Sequence, residues 1–402
     1  MPAIRRSRPN RERAFAGQRH LGHAVGVAQR CGPMEVSLDS VDDIQLALQP
    51  TYRIDQSFEW NAQHGPTFAG PYPDVPETPL KDFFGLPVKS RFGLAASVGM
   101  TADWIGLYAR LGFDILTYKT VRGQVRHAHA PPNWLFLDEA GLALDQIECP
   151  CRTIASVPAT PGLATAVGSI GTPSSDPSFW RTDIPRSRER LGPGQVLIVS
   201  VMATAEDATS EDAVVAEFEE LAAAVRAAGA QIVEANLSCP NVREREAEAY
   251  RDSALAGRIA AALRRGAGNL PVLLKVGPIE EDAAMTAFLR AVAPAVDGVV
   301  MINAPRRIVQ TSNGEPAFGP GREYAGIMGR GIHPIALDCV RRAVSIIDRD
   351  QLGLKVIAVG GAASVAEVQA FLRAGAYAAL SASSAAWNPY LAAQIKRANA
   401  SI

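Results

Sequence analysis

Within the segment Glu234-Ala-Asn-Leu-Ser-Cys-Pro-Asn241, two amides flank a thiol: Asn236, Cys239 and Asn241, with Pro240 stiffening the backbone between them. A side-chain amide donates and accepts hydrogen bonds at once, so a pair of amides can grip a planar polar ring. A thiol beside that ring can take up a proton where its pKa is tuned. The combination points to acid–base chemistry on a small heterocycle.

These groups stand at the end of an apolar run, 231–238, that reads as a buried strand. Seven more such runs follow the same pattern: 92–97, 113–120, 195–202, 271–277, 297–304, 355–361 and 377–383. Several are continuously apolar, as Val196-Leu-Ile-Val199 is, which suits parallel strands buried on both faces. Helical periods lie between them. Val214, Phe218, Leu221 and Val225 form one stripe between the candidate cap Ser210 and Gly229. Met285, Phe288, Leu289 and Val292 form another. Ser364 and Glu367 make a capping box for a third helix that stops at Gly375. Eight strands alternating with helices predict an α/β fold, a (β/α)8 TIM barrel. An open doubly wound sheet is the rival, but no GxGxxG follows the first strand. A long insertion, 121–194, separates the second and third strands and would sit over the catalytic face. The expected organisation is a disordered basic extension over 1–33, an irregular flap or plug over 34–91, and the barrel over 92–395.

Bulk properties exclude several classes. The 402 residues carry a net charge of −1, which argues against a dedicated nucleic-acid binder. No apolar stretch is long enough to span a bilayer. Residues 1–33 hold seven arginines against Glu12, without the apolar core of a signal peptide. Five scattered cysteines, Cys31, Cys149, Cys151, Cys239 and Cys339, form no metal or disulfide pattern and fit a reduced, cytoplasmic protein. His127 and His129 lack a nearby carboxylate or thiol, so no metal site is expected. Arg306 and Arg307, just beyond Asn303, read as a solvated loop edge, with pairing to an anionic substrate as the alternative.

In a barrel, strand ends converge on one mouth. Here those ends carry Ala95, Ala96 and Ser97; Lys119 and Thr120; Asn236, Cys239 and Asn241; Lys275; Asn303; Gly360 and Gly361; and Ser381 to Ser384. Two buried lysines call for an anionic partner. Gly360-Gly361 ahead of the helix capped by Ser364 offers backbone N–H groups and a helix dipole to a phosphate.

Taken together, these residues resemble the dihydroorotate dehydrogenase family of FMN-dependent barrels. The resemblance runs from about residue 90 to 390 and rests first on Asn236-Leu-Ser-Cys-Pro-Asn241. Ala95-Ala-Ser97, Thr117-Tyr-Lys-Thr120, Leu274-Lys-Val-Gly277, Ile302-Asn303 and Val359-Gly-Gly361 support it in order and spacing. Gly326-Ile-Met-Gly329, followed by His333-Pro-Ile-Ala336, resembles the family's glycine turn and next helix. The resemblance implies FMN held by Ala95, Ala96, Ser97, Lys119, Thr120, Asn236, Lys275, Gly329, Gly360, Gly361, Ser381 and Ser383. It implies a substrate ring held by Lys119, Asn236, Asn241 and Asn303. Cys239 would be the general base, with hydride passing to flavin N5 from a CH–CH bond. A cysteine base is similar to the soluble branch of the family. Homodimerisation is a family-based expectation, and the electron acceptor is unidentified: fumarate, NAD(P) through a partner, or a redox protein.

The chain departs from the family where the substrate is held. Gly168-Ser-Ile-Gly-Thr-Pro-Ser174 replaces N-S-x-G-x-x-N, and Ala304 stands where a hydroxyl residue is usual. Missing polar partners can shift specificity by orders of magnitude. The expected donor is therefore a dihydroorotate- or dihydropyrimidine-like ring, since the N-L-S-C-P loop also resembles the FMN domain of dihydropyrimidine dehydrogenases. A non-redox phosphate-ligand barrel without flavin is the alternative. A flavin-dependent tRNA reductase is disfavoured by the absence of a basic face.

Overall fold

A computed structural model describes residues 50–139, 149–204, 210–238 and 248–402. These all fall within one unit, Ser40–Ile402. The expected basic extension 1–33 and the candidate residues Cys239 and Asn241 lie outside the described residues. Among the described residues, no helix is long and apolar enough to cross a membrane.

The strands in chain order are β1 (Lys81–Phe83), β2 (Leu86–Val88), β3 (Phe92–Leu94), β4 (Ile115–Val121), β5 (Trp134–Leu137), β6 (Cys151–Ile154), β7 (Thr165–Gly168) and β8 (Val196–Val201). There follow β9 (Ile232–Asn236), β10 (Val272–Val276), β11 (Gly298–Met301), β12 (Arg306–Gln310), β13 (Tyr324–Gly329), β14 (Lys355–Val359) and β15 (Ala378–Ser381). Eight of them, β3, β4, β8, β9, β10, β11, β14 and β15, pair in parallel in that order, and β15 closes back onto β3. Each apolar run of the sequence holds one of these eight strands, and the fold is the expected TIM barrel.

Both faces of the barrel strands are buried, which is why the runs lack polar alternation. Ile115, Val196, Ile198, Ile232, Leu273, Val300 and Ile357 point inward into one cluster. Leu116, Leu197, Val199, Val233, Leu274 and Val299 point outward into the shell of helices. The helices begin where their caps require. Ser210 accepts the Ala213 amide at 3.2 Å ahead of Glu211–Ala227. Ser364 does the same for Ala366 ahead of Val365–Arg373, at 3.2 Å. Gly375, at φ +94°, takes the chain out of that helix through a conformation open to glycine.

The hairpin of β1 and β2 inserts Phe83 and Val88 against the first residues of the barrel strands and closes that end. The same end holds a buried ion pair. Lys396, on the helix Leu391–Ala398, meets Asp114 at 2.6 Å, with both side chains about 1% exposed. The Ser90 hydroxyl donates to the same carboxylate oxygen at 2.6 Å.

One feature was not anticipated. The insertion between β4 and β8 is not irregular loop alone. Its strands β5, β6 and β7 join β12 and β13, from a second insertion between β11 and β14, in a small closed sheet. All its pairings are antiparallel except β6 with β12. Leu137, Cys151, Val167, Val309, Ala325 and Ile327 fill its core. Cys151 is thus a buried apolar thiol, and burial pushes its pKa up.

Removing Lys396 while keeping its bulk, as in Lys396→Met, leaves Asp114 buried without its cation. The expected loss is about 3–5 kcal/mol of unfolding free energy, read by urea denaturation. A change under about 1 kcal/mol would show that the pair does not hold the C-terminal helix to the barrel.

Candidate active site at the carboxyl ends of the barrel strands

Side chains on a strand alternate between faces. The alternation that turns Ile115, Ile198, Ile232 and Leu273 inward also turns inward the residues two and four positions on. Those residues are Thr117 and Lys119 on β4, Ser200 on β8, Glu234 and Asn236 on β9, and Lys275 on β10. The barrel interior therefore changes from apolar to polar toward its mouth. Register fixes the neighbours: Lys275 pairs with Asn236, and Ser200 with Glu234. A register shift between Tyr118 and Val121 leaves an extra residue in β4 opposite β8. It falls at Lys119 and Thr120, and the Thr120 hydroxyl shares a 3.1 Å hydrogen bond with that of Ser200.

Glu234 is fully buried in this layer. Burial pushes its carboxyl above the ordinary range, against the pull of Lys275 and Lys119. Lys275 is buried as well, at 6% exposure.

Above the layer lies a cavity of about 840 Å³, its open mouth included. Ala96, Ser97, Lys119, Asn236, Lys275, Asn303 and Ser383 line it. The other expected residues among those described are not on its wall. Ala95 packs in the barrel interior, and Thr120 points to Ser200. Gly329 lies against the Ala164 carbonyl, which a Cβ would meet at 2.3 Å. Gly360 and Gly361 take φ of +111° and +76°, and a Cβ on Gly361 would meet the His333 backbone at 2.7 Å. Ser381 ends β15, its carbonyl accepting the Ala95 amide at 2.9 Å. Its hydroxyl is buried without a partner.

Asn236 and Asn303 form a latch. The Asn236 Oδ1 accepts the Ser238 amide at 3.2 Å and the Asn303 Nδ2 at 3.2 Å. Asn303 Nδ2 also donates to the Ser238 carbonyl, and its Oδ1 accepts the Ala304 amide at 2.9 Å. The ends of β9 and β11 are thereby tied together at the residue directly before Cys239. The Nδ2 of Asn236 makes no hydrogen bond among the described residues and belongs to a side chain on the cavity wall.

The cavity also has an apolar lining, which was not read from the sequence as part of the site. Tyr52, Phe58, Trp134, Ile170 and Met328 line it, and Tyr52 stacks on Trp134 with ring centroids 5.8 Å apart. They come from the N-terminal segment and the small closed sheet, whose approach to the mouth has no local sequence signal. Glu234 and Ser200 could have been found by counting in twos from Ile232 and Ile198. Of the departures, Gly168 is on the wall without a side chain. Ser174 is turned away: its hydroxyl accepts the Arg122 amide at 3.0 Å and donates to the Ser175 carbonyl at 3.0 Å. Ala304 lines the cavity beside Asn303.

A family model described as dihydroorotate dehydrogenase matches residues 183–400. The chain is 30% identical over 358 residues to the dihydroorotate dehydrogenase of Dictyostelium discoideum, covering 86% of this chain and 96% of that one. It is also 30% identical over 156 residues to the NAD-dependent dihydropyrimidine dehydrogenase subunit PreA of Escherichia coli strain K12, covering 37% and 35% of the two chains. The solved structure of DHODH from Eimeria tenella, in complex with ferulenol, superposes with a TM-score of 0.64 over 90% of this chain and 92% of that one. Its 18% identity makes this a likeness of fold. A barrel mouth built on this pattern and a match over nearly the whole chain lead to one conclusion: the protein belongs to the dihydroorotate dehydrogenase family, a flavin-dependent family, and is a dehydrogenase acting on a CH–CH donor.

Proposed function

We propose that the chain binds FMN at the barrel mouth and oxidises a dihydropyrimidine-like ring, or reduces its unsaturated form, with Cys239 as the base. The observation that carries this reading is the convergence of Lys119, Asn236, Lys275 and Asn303 on one cavity whose latch holds Ser238, the residue before Cys239.

The residues present fit the cofactor. The Ser381 hydroxyl is a buried donor that awaits an acceptor, and Gly360-Gly361 leads into a capped helix N-terminus. Those groups would hold the phosphate. Ala95, Ala96, Ser97, Lys119, Thr120, Gly329 and Ser383 would frame the ring system. Lys275 would answer negative charge on the reduced ring. When bound, FMN supplies the acceptor for the hydride that leaves the substrate.

Asn236 offers its remaining N–H groups to the substrate ring, and Asn241 would add a second amide. Asn303 reaches the ring by exchanging its bond to Asn236 for one to the substrate; otherwise it braces Ser238. Cys239 takes the proton from the carbon next to the one that loses hydride. The apolar wall of Tyr52, Phe58 and Trp134 excludes water and so strengthens the charge interactions beneath it. With Gly168 and Ser174 offering no amide, the grip on the ring is weaker than in the family pattern. This favours dihydropyrimidines broadly over dihydroorotate alone.

The purified protein should be yellow and bleach anaerobically with at least one of dihydroorotate, dihydrouracil and dihydrothymine. A colourless protein that does not take up FMN rejects the reading. Cys239→Ala should keep its flavin while bleaching slows by about two orders of magnitude or more; bleaching at the wild-type rate removes Cys239 from the reaction. Asn303→Ala strips the Ser238 carbonyl of its donor. Amide hydrogen exchange at Leu237 and Ser238 should then rise about tenfold, the scale of one lost hydrogen bond. Unchanged exchange would show that the latch does not restrain the loop's origin.

A further inference from the structure

We infer that a second cavity, beside the mouth, is a binding site for a small planar carboxylate, with Arg306 as its anchor. The cavity measures about 680 Å³, its open side included. Ser238, Tyr250, Ala304, Arg306 and Tyr324 lie on its wall, and Ala304 lines the first cavity too. The two spaces are thus separated by the short stretch that carries Asn303 and its latch.

The charges on the wall are unevenly matched. Arg251 meets Glu248 at 3.1 Å and Glu280 at 3.1 Å, so the acidic end carries its own cation. Arg307 donates to the Arg306 carbonyl at 2.8 Å. Arg306 makes no ion pair among the described residues. Its guanidinium lies 4.2 Å from the centre of the Tyr324 ring, and its Nε is buried without an acceptor. Buried donors in folded proteins almost always have a partner. A guanidinium stacked on an aromatic ring keeps its N–H edge free, and that edge matches a carboxylate in plane. Tyr250 and Tyr324 add aromatic surface to the wall, which suits a flat ligand over a tetrahedral anion. Three arginines against two glutamates leave the lining with a charge of +1 (3 − 2) among its described residues.

The carboxylate has two sources. It is either a separate molecule or an arm of a substrate that reaches past Ala304 from the first cavity. Binding measured without turnover tests the site whether or not the flavin reading holds. The probe is benzoate, with benzamide as its neutral counterpart and inorganic phosphate as a tetrahedral anion, titrated calorimetrically into the purified protein. Wild-type protein should bind benzoate in preference to both controls. Arg306→Gln should weaken that binding about tenfold or more, the scale of a lost charge-assisted pair. Arg306→Lys, which keeps the charge and loses the fork, should fall between, and both variants should melt with the wild type. If the carboxylate is a substrate arm, Arg306→Gln also weakens dihydroorotate binding while dihydrouracil binding is unchanged. Absent benzoate binding, equal binding of benzamide or phosphate, or binding indifferent to Arg306→Gln would each overturn the proposal.

Discussion

Burying charge inside a closed barrel is the constraint on which the rest of this site depends. Strand alternation leaves no choice about direction: once Ile232 and Leu273 point inward, Glu234, Asn236 and Lys275 do too. A lysine and a glutamate in that position are expensive unless they answer each other and something else. Glu234 lies in the field of Lys275 and Lys119, yet burial still holds its carboxyl above the ordinary range. The layer is thus poised rather than neutralised. An anionic ring set on top of it would find preorganised cations in a largely buried layer, where electrostatic interactions are stronger than in water.

Most of the large apolar side chains on the cavity come from parts that lie outside the barrel proper. The small closed sheet brings Trp134, Gly168 and Met328 to the mouth, and the N-terminal segment brings Tyr52 and Phe58. These groups contribute apolar surface and little hydrogen bonding. Polar side chains come instead from the barrel side, with Asn236, Asn303 and the two lysines. Polar and large apolar side chains thus reach the cavity from different parts of the fold. The loss of amides at Gly168 and Ser174 sharpens that division, because the covering wall offers a ring few polar contacts.

The barrel was legible because strands covered on both faces leave continuous apolar runs, and because helix caps such as Ser210 and Ser364 are local signals. Strand ends then located the mouth. Asn236, Lys275 and Asn303 on one cavity follow from chain order alone once a barrel is assumed. The small closed sheet was not legible for an equally physical reason. Its strands are four to six residues long, and partners such as β6 and β12 lie some 150 residues apart, so no periodicity connects them. Tyr52 and Phe58 read as flap residues because nothing near them in sequence says which wall they meet. Hydrogen-bond direction was also invisible. The Ser174 hydroxyl faces its own backbone, and the Asn303 amide faces Ser238 as much as the cavity.

The two ends of the barrel solve the same problem in different ways. At the closed end, Asp114 and Lys396 meet at 2.6 Å with almost no exposure, and Ser90 adds a further donor. That pair meets through Asp114 Oδ2 alone, the other carboxylate oxygen being buried without a partner, and it ties a helix to the strands. At the open end, the corresponding charges sit under a cavity, the Ser381 hydroxyl has no acceptor, and Asn236 keeps a donor group unused among the described residues. Buried polar groups left incomplete by the protein are unfavourable on their own. They persist where a ligand completes them, and the stabilisation that the ligand then gives to the folded chain is coupled to its binding. The Arg306 Nε, buried beside the same mouth without an acceptor, follows the logic of the open end rather than that of the closed one.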